Sequence, residues 1–321
     1  MEKRRIGETG VEVTPIMFGT SGLGSMPDTY GYSVDEDRAL STIRAIFDGP
    51  VNCLDTSNNY GFGESERRIG AVIRERGGLP PGFAISTKLD RDMETRHFTA
   101  SRARRSLEES LQRLGVDKIQ LLHLHDPEHC VDLKEITGKG GALEEMVKMK
   151  EEGLADAIGL AMGKVDMMFD ILKQGWPFDT IINHNRYTLL NRNADEMFTW
   201  AHEKGIAVFN AAPYASGVLA KGSDKMPLIA YVPASEADLE PVRAIEAACS
   251  RHGIATGPAA LQFSMQDPRI ASTVVGVTKP ERVAETIAWA EARISDEAWE
   301  ELNALPFATD DPEENRDYKP G

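Results

Sequence analysis

Short apolar runs alternate with longer amphipathic segments from one end of the chain to the other. The runs show little polar alternation, which is typical of parallel strands that are buried on both faces. They occupy residues 14–18, 51–55, 83–88, 118–125, 156–161, 180–184, 206–211 and 271–276. Because eight parallel strands joined by helices can close on themselves, the pattern predicts an α/β fold, the (β/α)8 or TIM barrel.

The segments between these runs carry helix patterns with recognisable ends. Residues 99–114 repeat apolar side chains on one helical face, and Gly115 follows them as a stop signal. Ser33 and Glu36 have the spacing of a capping box, which predicts a helix that runs to Phe47. Further helices are predicted at 143–152, 164–174, 193–204 and 280–292.

A doubly wound sheet is the alternative arrangement of such repeats. It would place a G-x-G-x-x-G turn between the first strand and a helix, so that the backbone could approach a pyrophosphate. Residues 19–24 read GTSGLG, which matches poorly, and no helix pattern begins before residue 34. The barrel is therefore the favoured prediction.

The chain contains no linker or low-complexity segment that would divide it. Residues 1–307 are therefore predicted to form a single domain, with a short hairpin before the first barrel strand. The long polar stretch 213–240 predicts an elaborated loop after the seventh strand, at the end of the barrel where active sites form. Residues 308–321 are polar and predict a flexible tail.

The chain is strongly acidic, with 51 acidic and 36 basic residues and a formal net charge of −15. A surface of this sign repels nucleic acid and anionic membranes, so neither is expected as a partner. Cys53, Cys130 and Cys249 lie far apart with no C-x-x-C motif, which favours a reducing compartment. No apolar stretch approaches ~18 residues and no signal core is visible, so we expect a cytoplasmic protein.

Four polar residues fall at or just beyond the ends of consecutive predicted strands, where barrel enzymes place their chemistry. Asp55 ends the second run, Lys88 the third and His125 the fourth, and Tyr60 follows shortly after Asp55. A buried lysine beside an aspartate stays protonated. Together with a histidine N–H, its charge would lower the pKa of a nearby phenol from the usual value of about 10. Such a phenol can protonate an alkoxide or deprotonate an alcohol.

Three motifs, in this order, resemble the signature of the aldo-keto reductase family. They are DTSNNYGFGESERRIG at 55–70, FAISTKL at 83–89 and LGVDKIQLLHLHDP at 114–127. The similarity extends over roughly residues 4–306. It implies an oxidoreductase that transfers a hydride between a nicotinamide cofactor, NADP or NAD, and a small carbonyl or alcohol substrate.

The resemblance also implies a catalytic tetrad, in which Tyr60 is the general acid or base. Its members are Asp55, Tyr60, Lys88 and His125. The sequence RYTLLNR at 186–192 is closer to the family's D-threo-aldose (L-fucose) dehydrogenase and pyridoxal 4-dehydrogenase branch than to the aldehyde reductases. The implied substrate is therefore an aldose or a sugar-like compound, as in carbohydrate metabolism, with pyridoxal as the alternative.

The cofactor site is implied by a weaker resemblance. Residues 274–286, VVGVTKPERVAET, resemble the family segment that holds the adenosine end of the nucleotide. The implied cofactor contacts are Gly19, Thr20, Asp55, Asn183, Ser216, Gly217, Gly276, Thr278, Arg282 and Glu285. Gly276 and Val277 stand where the family often has a Lys-Ser pair for the 2′-phosphate, so a weaker preference for NADP is expected.

The contact to the nicotinamide carboxamide differs from the family pattern as well. The Ser-Asn pair expected after the fifth strand reads Ala161-Met162. Either Asn183 or Asn185 could replace it, and the sequence leaves both open.

Two functions of other classes compete with this prediction. His123 and His125 lie two residues apart and so face the same side of a strand, with His129 nearby, as in metal-dependent hydrolases. The fifth strand ends in Ala-Met-Gly, which offers no ligand, so we predict that no metal is bound. A nucleotide-binding regulatory subunit without catalysis is the other alternative, and the complete tetrad argues against it.

Overall fold

The structure is a computed structural model that describes residues 1–316 of the chain. Within this range the strands are β1 (Arg4–Arg5), β2 (Glu12–Val13), β3 (Ile16–Gly19), β4 (Cys53–Asp55), β5 (Ala84–Leu89), β6 (Ile119–His125), β7 (Ala155–Ala161), β8 (Thr180–His184), β9 (Ala207–Ala211), β10 (Leu228–Ile229), β11 (Val232–Pro233) and β12 (Ile270–Gly276). Strands β3 to β9 and β12 form a closed parallel barrel, in which β12 pairs with both β3 and β9. The eight predicted apolar runs are the eight barrel strands, which confirms the (β/α)8 barrel.

The barrel wall separates two apolar cores. Alternate residues of each strand point inward, and the interior is filled by side chains such as Met17, Leu121 and Phe209. The residues between them point outward against the helices, for example Phe18 and Leu122. This burial of both strand faces is the reason that the apolar runs show so little polar alternation.

The hairpin of β1 and β2 closes the amino-terminal end of the barrel. Its two strands pair antiparallel, and Ile6, Val11 and Val13 belong to the interior core. The predicted hairpin is therefore present, and its apolar residues seal the end of the barrel opposite the strands' carboxyl ends.

The helices pack around the barrel. In the part of the chain that the structure describes they are α1 (Pro27–Tyr30), α2 (Glu36–Asp48), α3 (Glu64–Glu75), α4 (Ala100–Leu114), α5 (Lys134–Thr137), α6 (Ala142–Glu151), α7 (Val165–Leu172), α8 (Asp195–Glu203), α9 (Val218–Lys221), α10 (Glu236–Arg251), α11 (Thr256–Met265), α12 (Pro280–Glu291) and α13 (Asp296–Ala304). None of them is long and apolar enough to span a membrane.

Two helix starts differ from the sequence prediction. The cap of α2 is Asp35, whose side chain accepts the Arg38 N–H at 2.9 Å, so the predicted Ser33 capping box is wrong. A capping box is present instead at Ser235, which starts α10 within the stretch predicted to be a loop. The loop after β9 therefore ends before α10, and it contains α9 and the small hairpin of β10 and β11.

Residues 308–316, which the sequence predicts as part of a flexible tail, lie against the loop after β8. The Arg186 side chain, only 3% exposed, binds Asp311 and Glu313 at 2.6 and 2.9 Å. A buried guanidinium requires carboxylate partners, so this contact gives the segment a defined position. Residues 317–321 of the predicted tail lie outside the described residues.

Candidate active site

Asp55 and Lys88 form a buried ion pair at the carboxyl ends of β4 and β5. The Lys88 Nζ lies 2.8 and 2.7 Å from the two Asp55 carboxylate oxygens and 2.6 Å from the Thr56 carbonyl oxygen. Ser86 donates a further hydrogen bond to Asp55 Oδ1 at 2.8 Å. The three N–H bonds of the ammonium group therefore all have acceptors, and the carboxylate is satisfied without water.

Tyr60 lies between this ion pair and His125. Its ring centroid is 4.7 Å from the Lys88 Nζ, and its ring meets the His125 ring edge to face at 5.8 Å. The loop that carries Tyr60 touches the loop after β3 through two glycines. A Cβ atom at Gly61 would lie 2.0 Å from the Gly24 carbonyl oxygen, so only glycine allows this approach. The structure thus brings together all four residues of the expected tetrad.

The Tyr60 phenol does not have the lowered pKa that the sequence predicts. Burial raises the pKa of Tyr60 well above its usual value, and the carboxylates of Asp55, Asp126 and Asp90 raise it further. The expected lowering is wrong because Lys88 directs its N–H bonds at Asp55 and Thr56 rather than at the phenol. Tyr60 is therefore protonated over the whole neutral range, and it is equipped to donate a proton.

His125 is held by a carboxylate that the sequence analysis did not identify. Its Nδ1 lies 2.7 Å from Asp90 Oδ1 and 3.1 Å from Ser57 Oγ, and its Nε2 lies 3.6 Å from Asp126 Oδ2. Burial alone would lower the pKa of His125, but the charges of Asp126 and Asp90 raise it above its usual value. Asp90 follows Lys88 by two residues, so strand alternation would have placed it on the same face.

His123 lies deeper in the barrel than His125, on the same face of β6, as its spacing predicts. Its Nε2 is 2.9 Å from Thr180 Oγ1 and its Nδ1 is 3.4 Å from Ser86 Oγ. Burial lowers the pKa of His123 well below its usual value, and Lys88 adds to this effect. No group of three His, Cys, Asp or Glu residues within 1–316 is arranged to hold a metal ion. The ligand set of a metal-dependent hydrolase is therefore missing from the described residues.

Chelators test this conclusion. We expect turnover to be unchanged after dialysis against EDTA, because neither histidine belongs to a ligand set. The measurement is the initial rate before and after dialysis, with and without added zinc. A loss of rate that zinc restores would support a metal site at His123 and His125.

The loop after β3 and the end of β12 form one side of the barrel mouth. Gly19 and Gly276 are paired across these strands. Thr20 donates from both its N–H and its hydroxyl to the Asp55 carbonyl oxygen, at 2.9 and 2.8 Å, so its side chain is already bound within the protein. Arg38 donates to the Thr278 carbonyl oxygen at 2.7 Å. Arg38, which the sequence analysis missed, therefore brings a positive charge to this side.

A second group of predicted cofactor residues lies farther out, around Trp289. The Arg282 guanidinium stacks on the Trp289 ring at 4.6 Å and pairs with Glu285 at 2.6 Å. The Tyr214 ring meets Trp289 edge to face at 5.8 Å. The structure thus brings Arg282 and Glu285 together, and it adds two aromatic side chains to them.

Buried hydroxyl groups near this end of the mouth have no hydrogen-bond partner. Within residues 1–316 they include Tyr214 Oη, Ser216 Oγ and Thr286 Oγ1. Ser216 and Gly217 also have left-handed backbone angles, with φ of 66° and 101°. Buried polar atoms are normally satisfied, so these hydroxyls fit a polar ligand such as a nucleotide.

Asn183 does not reach the barrel mouth. Its Nδ2 donates to the carbonyl oxygens of Met162 and Gly163, both at 2.9 Å, on the outer side of the barrel wall. The inward residue at the end of β8 is His184, because strand residues alternate and Ile182 faces the interior. Of the two asparagines that the sequence left open, Asn185 donates from its Nδ2 to Glu313 at 2.8 Å, and the Oδ1 atoms of both are buried without a hydrogen-bond partner among residues 1–316.

Comparison with known proteins gives this chain several relatives of nearly its own length. L-galactose dehydrogenase from Arabidopsis thaliana is 31% identical over 90% of this chain and 88% of the relative. Pyridoxal 4-dehydrogenase from Microbacterium luteolum is 26% identical over 94% and 97%. D-threo-aldose 1-dehydrogenase from a Pseudomonas species is 28% identical over 91% and 94%. The last two confirm the branch that the sequence predicts.

A structural comparison and a family-wide sequence pattern agree with the result from these relatives. An aldo-keto reductase from Bacillus halodurans, solved in its holo form, has a TM-score of 0.78 at 21% identity over 99% of this chain and 100% of its own, which supports the barrel fold. The sequence pattern of the aldo/keto reductase family matches residues 15–306. Because this match runs from the first barrel strand to the last helix, the chain belongs to the aldo/keto reductase family of oxidoreductases.

Proposed function

We propose that this protein interconverts an alcohol and a carbonyl group on a small polar substrate with NAD or NADP as the hydride carrier. The observation that supports this most is the position of Tyr60, which lies between the Lys88 ammonium group and the His125 ring. A protonated phenol between two cationic or hydrogen-bonding side chains can give a proton to an oxygen on which negative charge develops.

The cofactor fits the residues around the outer part of the mouth. When bound, a nicotinamide dinucleotide supplies or accepts the hydride. The hydroxyls of Tyr214, Ser216 and Thr286 would gain hydrogen-bond partners from its polar groups. Arg282 would bind its adenosine end, and Gly217 would leave room for the phosphates. Gly19, Gly276 and Thr278 would line the path towards Tyr60.

Three residues of the tetrad, Tyr60, Lys88 and Asp55, have separate tasks in this proposal. Tyr60 donates its phenol proton to the substrate oxygen during reduction. Lys88 stabilises the negative charge that then develops on the phenol, because its ammonium group lies 4.7 Å from the ring. Asp55 holds Lys88 in place through its two oxygens. The burial of Lys88 and Asp55 keeps water away, which strengthens these charge interactions.

An aldose is the substrate class that we favour. L-galactose dehydrogenase and D-threo-aldose 1-dehydrogenase are both sugar-oxidising relatives by name. Polar groups such as the Tyr30 hydroxyl, which binds Ser21 at 2.8 Å, stand near Tyr60 and suit a polyhydroxylated ligand. Pyridoxal is the second candidate, because the rings of Tyr30, Tyr32 and Tyr231 form an aromatic cluster that could receive a pyridine ring.

A screen of aldoses and pyridoxal with both cofactors tests the proposal directly. We expect NAD(P)-dependent oxidation of at least one aldose, followed by the absorbance of the reduced nicotinamide. Oxidation of pyridoxal alone would select the second candidate. No turnover of any alcohol or carbonyl, despite measurable nucleotide binding, would instead support the regulatory subunit.

Arg282→Ala should weaken the binding of NADP much more than that of NAD. A charge-assisted hydrogen bond contributes about 1.5–3 kcal/mol, and Arg282 is the arginine expected to make one with the 2′-phosphate. Because Gly276-Val277 lacks the lysine, the wild-type protein should use either cofactor. The measurement is the Kd of each nucleotide for both proteins. Equal losses would mean that Arg282 contacts only the adenine, and the phosphate argument would fail.

A further inference from the structure

Asp90 is a buried carboxylate that the proposed function does not yet use. It is 1% exposed and accepts hydrogen bonds from Ser57 Oγ and from the Asn59 N–H at 3.0 Å, both on Oδ2. Its other oxygen, Oδ1, faces His125 Nδ1 at 2.7 Å. Burial alone would raise the pKa of Asp90, but His125 and Ser57 lower it below its usual value. The carboxyl group is therefore ionised.

An ionised carboxylate accepts hydrogen bonds and donates none. The 2.7 Å contact therefore requires a hydrogen on Nδ1 of His125. A neutral His125 then has a lone pair on Nε2, and only the doubly protonated ring has a hydrogen there. Nε2 is thus a proton acceptor when the ring is neutral, and it becomes a donor only when the ring is charged.

The surroundings of His125 decide when the ring is charged. The charged and titratable groups that face it are Lys88 from β5, Asp90 just after β5, Tyr60 from the loop after β4, His123 from its own strand, and Asp126 and His129 just after that strand. Two carboxylates, Asp90 and Asp126, lie within 4 Å of its nitrogens at 2.7 and 3.6 Å. They outweigh burial and Lys88, so the pKa of His125 lies above its usual value.

The Tyr60 phenol needs a neighbouring group that can both accept and donate a proton. Burial and the neighbouring carboxylates raise the pKa of Tyr60, so a phenolate that forms when the proton is given away regains a proton readily. Lys88 does not offer a proton, because its N–H bonds are bound to Asp55 and Thr56. His125 is the ring that meets Tyr60 edge to face at 5.8 Å, and it can both give and take a proton near neutral pH.

We propose that Asp90 is a positioning residue that fixes a proton on Nδ1 of His125 and so makes Nε2 the final acceptor of the substrate proton during alcohol oxidation. This inference rests on the proposed function. In oxidation the substrate O–H bond breaks and its proton passes to the Tyr60 oxygen, while the Tyr60 hydrogen moves to Nε2. The substrate carbon loses a hydride to the oxidised nicotinamide nucleotide. Reduction reverses both transfers.

Asp90→Asn tests the proposal because it should slow oxidation of the alcohol more than reduction of the carbonyl. The amide Nδ2 would donate to Nδ1, so the neutral ring would keep its hydrogen on Nε2 and lose its acceptor. We expect kcat for oxidation to fall at least about 100-fold and kcat for reduction to fall much less. In the wild-type protein, oxidation should rise and reduction should fall as pH rises through the pKa of His125. In the variant, the rise of oxidation and the fall of reduction should both occur at lower pH.

Ser106→Ala is the matched control. The Ser106 hydroxyl accepts the main-chain N–H of Asp90 at 2.9 Å, so this variant disturbs the same residue without changing its carboxylate. We expect the pH dependences of oxidation and reduction to be unchanged in this variant. Its kcat values for the two reactions should fall by the same small factor. If Asp90→Asn lowered kcat for oxidation and for reduction equally, and both kept the pH dependence of the wild-type protein, the role of Asp90 would be purely structural. This result would overturn the proposal.

Nitrogen NMR of the full chain labelled with ¹⁵N-histidine tests the same pair without turnover. His125 is assigned by comparison with His125→Gln. We expect the neutral wild-type ring to carry its hydrogen on Nδ1, and the Asp90→Asn ring to carry it on Nε2 with a lower pKa. A wild-type ring with its hydrogen on Nε2 would overturn the proposal. A wild-type protein that oxidises no alcohol would overturn the proposed function instead, and this outcome is visible before any variant is made.

Discussion

Tyr60→Phe is expected to remove nearly all turnover and to leave cofactor binding close to normal. The phenol contributes only when a proton moves, so its loss should lower kcat by about 100- to 10,000-fold with little change in nucleotide affinity. The measurements are kcat in both directions and the Kd of each nucleotide. The ring itself should remain in place, because Lys88 lies over it and the His125 ring packs against it.

Tyr187→Phe provides a matched control for this change. Tyr187 is also a buried tyrosine, and its hydroxyl donates to Asp267 at 2.6 Å outside the barrel mouth. Its loss should reduce stability slightly and leave kcat unchanged. A Tyr60→Phe protein with the wild-type rate, or an equal loss in Tyr187→Phe, would contradict the assignment of Tyr60.

Lys88→Met is expected to abolish turnover and also to destabilise the protein. The substitution would leave the Asp55 carboxylate, 4% exposed, without its charged partner. Removing one partner of a buried ion pair typically costs about 3–5 kcal/mol of unfolding free energy. Turnover should fail as well, because no positive charge would then stabilise the developing phenolate of Tyr60. Urea denaturation and kcat measure the two effects separately.

Asp55→Asn separates charge from shape at the same pair. The amide keeps the size of the side chain and one acceptor for Lys88. The losses of unfolding free energy and of kcat should therefore both be smaller than those of Lys88→Met. The double variant should recover part of the lost stability, because neither charge remains buried alone, and it should stay inactive. If Asp55→Asn lowered kcat more than Lys88→Met does, the roles given to the two residues would be reversed.

The sequence carried enough information to predict the barrel and the tetrad because both depend on local pattern. Continuous apolar runs can be buried only between two layers, and a polar residue that ends such a run must lie at the mouth. Asp55, Lys88 and His125 all meet that condition. Asp90 lies two residues after Lys88, beyond the end of the apolar run, so this pattern alone does not indicate it.

The direction of the Tyr60 pKa could not be predicted from residue types alone. A lysine lowers the pKa of a phenol when its charge is directed at the oxygen, but here Asp55 and Thr56 accept its N–H bonds. The sequence specifies that these groups are neighbours, whereas the sign of the shift depends on which acceptor lies within 3 Å of the Nζ atom. The same limit applies to Asn183, whose position in β8 directs it out of the barrel.

The helices α10 and α11, which lie between β9 and β12, were missed for a different reason. The helix α10 carries Pro241 in its interior, and α11 contains Pro258 in its first turn. Proline argues against a helix when the sequence is considered alone, yet it is tolerated in the first turn, where its missing N–H has no partner. Pro241 lies beyond the first turn of α10, five residues after Glu236, so its missing N–H removes one hydrogen bond from the interior of the helix.

The sequence of the segment 308–316 can change without disturbing the pairing of the barrel strands. It follows the last helix, and none of the barrel strands pairs with it, yet Glu313 reaches His184 at the mouth with a distance of 3.2 Å. Mutations or insertions there would change the shape and charge of the entrance while every strand register stayed intact. Selection can therefore alter which substrates enter without disturbing the proton-transfer residues, and homologues with unlike C-terminal segments should differ in substrate before they differ in chemistry.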